Sequence, residues 1–290
     1  MDAITMSLDL NRRYETQWQR LSSSVQGLEG EYIQTTLGPV WLTCAGPKDA
    51  PPLLLLHGLH TPAPFSIEFF RSLTEHFRVL CPDIPGQAGK TPGLAPMPSN
   101  QAYALWIECL LDKLGISSCC AVGLSFGGAV LLDLAVRNPE RISAASLVVP
   151  AGFFRPIFRP LKKLLMPFVD FKLHSDQMHF DQLMKPLLGN NWPALEDYYF
   201  AVFQAGIPLT LVPPGPYDSR ELKRFAAPVQ LITATEDLYF SSAKLRKCAR
   251  QLIPNLVQLS EVEDLHVPSP LNRDKIQNEV LSFLMKEMSM

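Results

Sequence analysis

Residues 121–128 have the sequence AVGLSFGG, with an apolar, strand-like run before them and a helix-like run after them. A G-x-S-x-G between a strand and a helix is typical of a nucleophile elbow, a tight turn that lifts the Ser125 hydroxyl above the edge of a sheet. Gly123 and Gly127 suit such a turn, because a side chain at either position would collide with neighbouring backbone. The stretch therefore predicts that Ser125 is a nucleophile.

The same stretch allows two structural alternatives. A G-x-S-x-G pattern also occurs by chance, so the turn could simply join a strand to a helix. Residues 114–136 are largely apolar, which raises the alternative of a membrane span. Asp133 and the glycines around Ser125 favour a strand, a turn and a buried helix over a span. The pattern alone does not distinguish a catalytic serine from a structural turn, so further motifs elsewhere in the chain are needed.

Composition narrows the class of protein. A chain of 290 residues with 47% hydrophobic content can bury a large core, either as one domain with an insertion or as two domains. The formal net charge of −2 provides no basic field, which argues against a nucleic-acid partner. The N-terminus lacks a basic segment followed by an apolar one. We therefore expect a cytoplasmic protein with no transmembrane segment.

Ligand-binding motifs are not apparent in the sequence. The six cysteines show no C-x-x-C pairing, which predicts buried thiols rather than disulfides or metal ligands. The histidines lack the H-E-x-x-H spacing of a zinc site. Residues 86–91 end like a phosphate-binding loop, but their two glycines are too close together for that motif. We expect neither a metal nor a cofactor.

Strand-like and helix-like segments alternate from residue 52 onward, after a predicted amphipathic helix at about 1–24. Continuous apolar runs of this kind form strands that helices bury on both faces, so the alternation predicts a mostly parallel sheet flanked by helices. An antiparallel hairpin precedes them. The eight predicted strands are 31–36, 39–44, 52–56, 77–81, 117–123, 142–149, 228–233 and 255–259.

The pattern changes between residues 153 and 227, where helix-like pieces rich in Phe, Leu, Met, Tyr and Pro replace the strands. We predict a helical insertion at 153–227 that divides the core into residues 1–152 and 228–290. Its large side chains are candidates for lining an apolar acyl or alcohol pocket, although packing onto the core is the commoner role for any one of them. The candidates are Phe153, Phe154, Phe158, Leu161, Leu164, Leu165, Met166, Phe168, Phe171, Met178, Phe180, Tyr198, Tyr199, Phe200 and Phe203.

Five motifs occur in one order along the chain. They are His57-Gly58 after a buried strand, Asp83-Ile84-Pro85-Gly86 after the next, the elbow around Ser125, Asp237 after a late strand, and His266 before the last helix. In these motifs, from about residue 30 to 286, the chain resembles α/β-hydrolase fold proteins with a cap domain. The resemblance implies an α/β fold with a mostly parallel, eight-stranded α/β-hydrolase sheet and a helical cap.

The resemblance also implies a catalytic triad of Ser125, His266 and Asp237. A serine hydroxyl is a poor nucleophile at neutral pH, so a histidine must take its proton while an ionised carboxylate holds the other ring N–H. Two further carboxylates, Glu236 and Asp264, lie near enough in sequence to compete for the acid role.

For the base, His57 and His60 are the alternatives, although a histidine beside the loop that stabilises the oxyanion is more often structural. That loop follows the first buried strand in this fold. The backbone N–H groups of Leu59 and Phe126 would therefore hold the oxyanion.

These residues predict a serine hydrolase that cleaves a small or medium carboxylic ester through an acyl enzyme. The expected partner is a small, apolar ester. The same residues are also compatible with hydrolysis of a C–C bond, a lactone or an amide, and with acyl transfer to an alcohol or thiol. A ligand receptor without catalysis is the alternative from another class of protein.

Overall fold

The structure, a computed structural model, describes residues 6–155, 158–189, 192–207 and 211–289, with the side chains of 156–163 left out. Its described residues form one eight-stranded sheet in the order β1-β2-β4-β3-β5-β6-β7-β8. Strands β3 to β8 are parallel, and β1 and β2 pair antiparallel at one edge. The predicted fold class is confirmed. The strands are β1 Glu29–Thr35, β2 Gly38–Ala45, β3 Pro52–Leu56, β4 Arg78–Pro82, β5 Cys119–Leu124, β6 Ile142–Val148, β7 Val229–Ala234 and β8 Leu256–Val262.

Helices cover both faces of this sheet. Side chains of α2 and α9 belong to one hydrophobic cluster, and side chains of α3, α4 and α8 belong to the other. The described helices are α1 Leu8–Ser22, α2 Ala63–Phe69, α3 Ala102–Lys113, α4 Phe126–Arg137, α5 Phe158–His174, α6 Gln177–Leu188, α7 Pro193–Gln204, α8 Ser242–Leu252 and α9 Pro270–Met288.

Strand β3 shows why the buried strands have continuous apolar sequences. Leu53 and Leu55 point into one cluster, Leu54 and Leu56 point into the other, and all four side chains are 0% exposed. Successive side chains of a strand alternate between faces, so a strand with helices on both faces needs apolar residues at every position.

Several boundaries differ from the sequence-based expectation. The helix after the elbow begins at Phe126 rather than at Ala129, immediately after Ser125. Asn is a favoured N-cap residue, but the N-cap of α3 is Gln101 rather than Asn100, and Gln101 has a φ of 57° and no capping side-chain bond. The first helix is shorter than predicted, and the hydroxyl of Ser7 caps it.

The apolar stretch at 114–136 is not a membrane span. It contains β5, the turn at Ser125 and most of α4, so the chain reverses direction within it. Across the described ranges, no helix has the length and apolarity that crossing a bilayer requires.

Between β6 and β7 the chain leaves the sheet. This part, called the β6–β7 segment below, contains α5, α6 and α7, and its described residues form no strand. Side chains of α6 and α7 join the same hydrophobic cluster as α2 and α9. The segment therefore packs against the body of the molecule.

Candidate active site

Ser125 occupies the turn between β5 and α4 in an unusual backbone conformation, with φ 48° and ψ −110°. L residues rarely adopt positive φ, and such strain persists only where the surroundings hold it. Three backbone bonds do so here. The Ser125 N–H donates to the carbonyl of Val148, and the Ser125 carbonyl accepts from the N–H groups of Gly128 and Ala151, each at 2.9 Å.

The two glycines of the motif leave room for this turn. A Cβ on Gly123 would lie 2.7 Å from the Cα of Gly128, on the other arm of the turn. A Cβ on Gly127 would overlap the carbonyl of Leu56, at the end of strand β3. Both positions therefore exclude a side chain, but the obstacle at Gly127 is the adjacent strand rather than the turn itself.

Ser125, His266 and Asp237 form a continuous hydrogen-bonded chain. The Oγ of Ser125 lies 2.8 Å from Nε2 of His266, and Nδ1 of His266 lies 2.8 Å from Oδ2 of Asp237. The other oxygen of Asp237 accepts the N–H groups of Tyr239 and Phe240 at 2.7 and 2.9 Å. The side chain of Asp237 is 1% exposed and that of His266 is 10% exposed. The imidazole thus lies between an alcohol and a fixed, water-shielded carboxylate.

The two competing carboxylates lie elsewhere. Glu236 is exposed, whereas Asp264 accepts hydrogen bonds from Ser269 and from the Asn272 amide. Burial alone would raise the pKa of Asp264, but the bonds from Asn272 and Ser269 leave it below its usual value. Asp264 therefore braces the loop that carries His266, whereas the imidazole itself bonds Asp237.

The two competing histidines, His57 and His60, form hydrogen bonds with backbone groups. Nε2 of His57 accepts the N–H of Ile84 at 2.8 Å, and Nδ1 of His57 bonds the carbonyl of Gly58 at 2.7 Å. Burial lowers the pKa of His57 to about 4, against the opposing effect of the bond to Gly58. Nδ1 of His60 accepts the N–H of Ala88 at 3.0 Å. Both rings connect the loop after β3 to the loop after β4.

Asp83 organises the loop after β4. Its carboxylate accepts the backbone N–H groups of Ala63 at 2.9 Å and Lys90 at 2.8 Å. Burial raises the pKa of Asp83 to about 6, although these bonds act in the opposite direction. The glycine-containing stretch 86–91 is therefore folded onto a carboxylate of its own chain, which disfavours phosphate at the same place.

The proposed oxyanion donors lie beside the serine. Leu59 follows β3, and Phe126 is the first residue of α4, where a backbone N–H has no partner within the helix. Both residues line a cavity together with Ser125. Their role as hydrogen-bond donors to an oxyanion remains a prediction.

The cavity above Ser125 has a volume of about 520 Å³ and is lined by the strand-end loops on one side and by the β6–β7 segment on the other. No Asp, Glu, Lys or Arg occurs among the described residues that line it. The hydroxyl and imidazole side chains in the lining are those of Thr61, Ser125, Tyr199, Tyr239 and His266. The apolar lining from the β6–β7 segment consists of Leu164, Leu165, Phe168, Leu183, Met184, Leu187, Leu188, Trp192, Leu195, Phe203, Leu211 and Pro213.

Only part of this lining matches the predicted pocket residues. Five of the candidates line the cavity, namely Leu164, Leu165, Phe168, Tyr199 and Phe203. Eight others do not line it: Phe153, Phe154, Met166, Phe171, Met178, Phe180, Tyr198 and Phe200. The side chains of Phe158 and Leu161 lie outside those described. Packing within the β6–β7 segment and against the core uses Phe171, Phe180 and Tyr198, which are buried.

Thr61 was not predicted at the cavity wall, and neither were the hydrogen bonds that the predicted lining residue Tyr199 makes there. The hydroxyl of Tyr199 lies 2.7 Å from the carbonyl oxygen of Leu59 and 2.8 Å from Oγ1 of Thr61. Tyr199 and Leu59 are 140 positions apart in the chain. No local pattern in one sequence indicates such a contact.

Comparison with known proteins places this geometry in a family. The alpha/beta hydrolase family profile matches residues 53–270, most of the chain. Carboxylesterase YbfK of Bacillus subtilis (strain 168) is 25% identical over 284 residues, covering 94% of this chain and 93% of that protein. The crystal structure of carboxylesterase CesB (YbfK) from Bacillus subtilis superposes with a TM-score of 0.78 at 25% identity, covering 95% of this chain and 98% of that one.

A second solved structure supports the same fold. Naproxen esterase (carboxylesterase NP) from Bacillus subtilis superposes with a TM-score of 0.76 at 21% identity, covering 96% of this chain and 99% of that one. The profile match covers most of the chain, and both superpositions extend over nearly its full length. This chain belongs to the alpha/beta hydrolase family.

Proposed function

We propose that this protein is a serine hydrolase that cleaves carboxylic esters through an acyl enzyme on Ser125. The observation that carries the proposal is the hydrogen-bonded chain from Ser125 through His266 to Asp237, on the floor of an apolar cavity. The similarity to carboxylesterase YbfK over nearly the full length of both proteins favours an ester over the other bonds that the same residues can cleave.

In the acylation step, Ser125 Oγ attacks the ester carbonyl while Nε2 of His266 takes its proton. The positive charge that develops on the imidazole is stabilised by Asp237, whose Oδ1 is held by two backbone N–H groups. The tetrahedral intermediate then collapses, and His266 returns the proton to the alcohol that leaves. In the second step His266 takes a proton from water, which attacks the acyl carbonyl. The proton then returns to Ser125 Oγ as the carboxylic acid leaves.

The negative charge of the tetrahedral intermediate needs donors of its own. We propose the backbone N–H groups of Leu59 and Phe126, which flank Ser125 at the cavity. Fixed donors aimed at the developing charge stabilise the transition state more than the substrate, which is the condition for faster turnover.

The cavity suggests which esters fit. It lies within the range of roughly 300–1,000 Å³ that small-molecule sites occupy. Its described lining offers no charged side chain to pair with an ionised substrate, so we propose a neutral ester with an apolar acyl or alcohol part. On this view residues 153–227 form the cap that selects the substrate. The cytoplasmic location remains a prediction from the sequence.

The first test measures hydrolysis of p-nitrophenyl esters of increasing acyl length by the wild type and by Ser125→Ala. Loss of a triad nucleophile should lower kcat by roughly 10⁶, because the triad acts as a unit. A fluorophosphonate should label the wild type at Ser125 and should not label the variant.

The matched control is Ser22→Ala, which removes an exposed hydroxyl on α1, outside the cavity. It should keep both turnover and labelling. Folded wild-type protein that neither hydrolyses these esters nor reacts with the fluorophosphonate would favour the non-catalytic receptor instead.

A further inference from the structure

Tyr199 connects the β6–β7 segment to the loop that carries Leu59. It lies on α7, lines the cavity, and places its hydroxyl between the Leu59 carbonyl at 2.7 Å and Oγ1 of Thr61 at 2.8 Å. Oγ1 of Thr61 also lies 3.2 Å from the Leu59 carbonyl, so its single proton can go either to that carbonyl or to the tyrosine oxygen. The bond from Tyr199 to the carbonyl is the shorter of the two. Burial raises the pKa of Tyr199 to about 12, so the phenol keeps its proton at neutral pH.

The same peptide unit is also held from the other side. The N–H of His60 belongs to the peptide that carries the Leu59 carbonyl, and it donates to Oε1 of Gln87 at 2.7 Å. His60 has a φ of 51°, a positive value that is uncommon outside glycine, although Asn, Asp and His adopt it more often than other residues. A strained peptide persists only where its surroundings hold it, and here Tyr199 and Gln87 act on its two ends.

The plane of this peptide determines where the preceding one points. The N–H of Leu59 belongs to the peptide unit just before the restrained one, and the two units are joined at the Cα of Leu59. Rotation about the backbone bonds of Leu59 would therefore turn that N–H away from the oxyanion. A displacement of about 1 Å at a catalytic group is enough to cost a factor of roughly 10² in rate. The bonds from Tyr199, Thr61 and Gln87 all restrain the peptide that follows the Leu59 N–H, and the bond from Tyr199 is the one that comes from the β6–β7 segment.

We propose that Tyr199 is a positioning residue that fixes the oxyanion-binding loop through its hydrogen bond to the Leu59 carbonyl. The inference rests on the proposed function and extends it, because it makes the docking of α7 a condition for a competent oxyanion site.

The adjacent tyrosine of α7 reaches the neighbouring loop. The hydroxyl of Tyr198 donates to the carbonyl of Ala88 at 2.9 Å, and the N–H of Ala88 in turn donates to His60. Two consecutive residues of one helix thus bind the two loops that meet at His60. Displacement of α7 would loosen both loops together.

The test compares the wild type with Tyr199→Phe, which removes only the hydroxyl. Four quantities are measured: kcat and KM for p-nitrophenyl acetate, the inhibition constant of a trifluoromethyl ketone, and the melting temperature. The ketone forms a tetrahedral adduct with serine whose oxygen occupies the oxyanion site, so its affinity reports on that site directly.

The expected result for Tyr199→Phe is a fall in kcat of about ten-fold, smaller than the roughly 10²–10³ lost when an oxyanion donor itself is removed. The inhibition constant should rise by the same factor, with KM nearly unchanged. The control is Tyr32→Phe, which removes a hydroxyl that also donates to a backbone carbonyl, that of Lys90, at 3.1 Å on the exposed edge of the sheet. Tyr32→Phe should match the wild type.

The results that would contradict the inference differ from those that would contradict the proposed function. If Tyr199→Phe keeps the wild-type kcat and inhibition constant, or changes only KM or the melting temperature, the inference is wrong while ester hydrolysis stands. If Tyr199→Phe does not fold, Thr61→Val decides, since it removes the hydroxyl that contacts both Tyr199 and the Leu59 carbonyl and should lower kcat and raise the inhibition constant in the same way. A Thr61→Val variant with the wild-type kcat and inhibition constant would then overturn the inference. A wild type without esterase activity would overturn the proposed function and this inference with it.

Discussion

Two requirements are met together at Ser125. Its hydroxyl must be exposed to the cavity, and its backbone must turn sharply enough to present it, at a cost of about 1–3 kcal/mol for the strained conformation. Hydrogen bonds from the N–H groups of Gly128 and Ala151 to the Ser125 carbonyl offset part of this cost. The absence of a Cβ at Gly123 and Gly127 removes the steric obstacle.

The assignment of Asp237 as the triad acid can be tested by replacing its carboxylate with an amide. In Asp237→Asn, the amide keeps the shape of the side chain but carries no negative charge. It therefore cannot stabilise the protonated imidazole of His266 as the carboxylate does. We expect kcat to fall by roughly 10⁴ with little change in KM. Steady-state hydrolysis of p-nitrophenyl acetate measures both quantities.

The matched control for this substitution is Glu236→Gln, which makes the same chemical change on the neighbouring, exposed carboxylate. It should leave kcat within a few-fold of the wild type. A large loss in Glu236→Gln together with a small loss in Asp237→Asn would show that the acid has been assigned to the wrong residue.

The sequence predicted the residues that meet at the site better than it predicted how they are held. Ser125, Asp237 and His266 each follow a recognisable strand or precede a recognisable helix, so their order along the chain indicated them. Asp264 lies only two residues from His266, and separating it from Asp237 required knowing which carboxylate bonds the imidazole. The bond from Tyr199 to Leu59 has no local pattern at all.

At the scale of elements, the strands were easier to predict than the walls of the cavity. Strand β3 is buried on both faces, so its apolar run at 52–56 predicted its bounds. Helix α6 is different, because Phe180 packs in the core whereas Leu183 and Leu187 face the cavity. All three are apolar and buried. Only the packing of the helices shows which of them face the cavity.

Helix α6 offers a test of the proposed acyl pocket. Met184 lines the cavity and is buried, so Met184→Trp should fill part of the space above Ser125. We expect kcat/KM for p-nitrophenyl octanoate to fall by about ten-fold or more relative to the acetate, since exclusion of even one methylene changes specificity by 10-fold to 200-fold. The ratio of the two kcat/KM values measures this effect independently of the amount of active protein.

Met178→Trp is the matched control for this experiment. It introduces the same side chain on the same helix, but Met178 is 59% exposed and does not line the cavity. Its octanoate-to-acetate ratio should equal that of the wild type. An unchanged ratio in Met184→Trp would mean that the acyl chain does not occupy this side of the cavity.

His57, in the loop after β3, makes the stability of the whole protein depend on pH. The imidazole is 1% exposed, accepts the N–H of Ile84 and has its pKa lowered to about 4 by burial. Protonation would remove the acceptor and bury a charge. Between the usual pKa of 6.5 and about 4, the unfolded chain therefore binds more protons than the folded one, and stability falls as the pH falls through this window.

Asp83 acts in the opposite direction over part of the same range. Its pKa is raised from 3.8 to about 6, so the folded chain binds the extra proton there and the contribution of Asp83 to stability decreases as the pH rises through that window. The pH dependence of the wild type alone is the sum of the two effects. A comparison with a variant that retains Asp83 isolates the contribution of His57.

His57→Gln is that variant, because the Gln carbonyl can accept a hydrogen bond but does not titrate. Urea unfolding from pH 7 to about pH 4 should show the wild type more stable at neutral pH, with its advantage shrinking by about 3 kcal/mol across the window at roughly 1.4 kcal/mol per pKa unit. His76→Gln, which removes an exposed imidazole, is the control and should run parallel to the wild type. A difference between wild type and His57→Gln that stays constant with pH would mean that His57 is not held neutral in the folded protein. The link between the two loops would then have to come from other bonds.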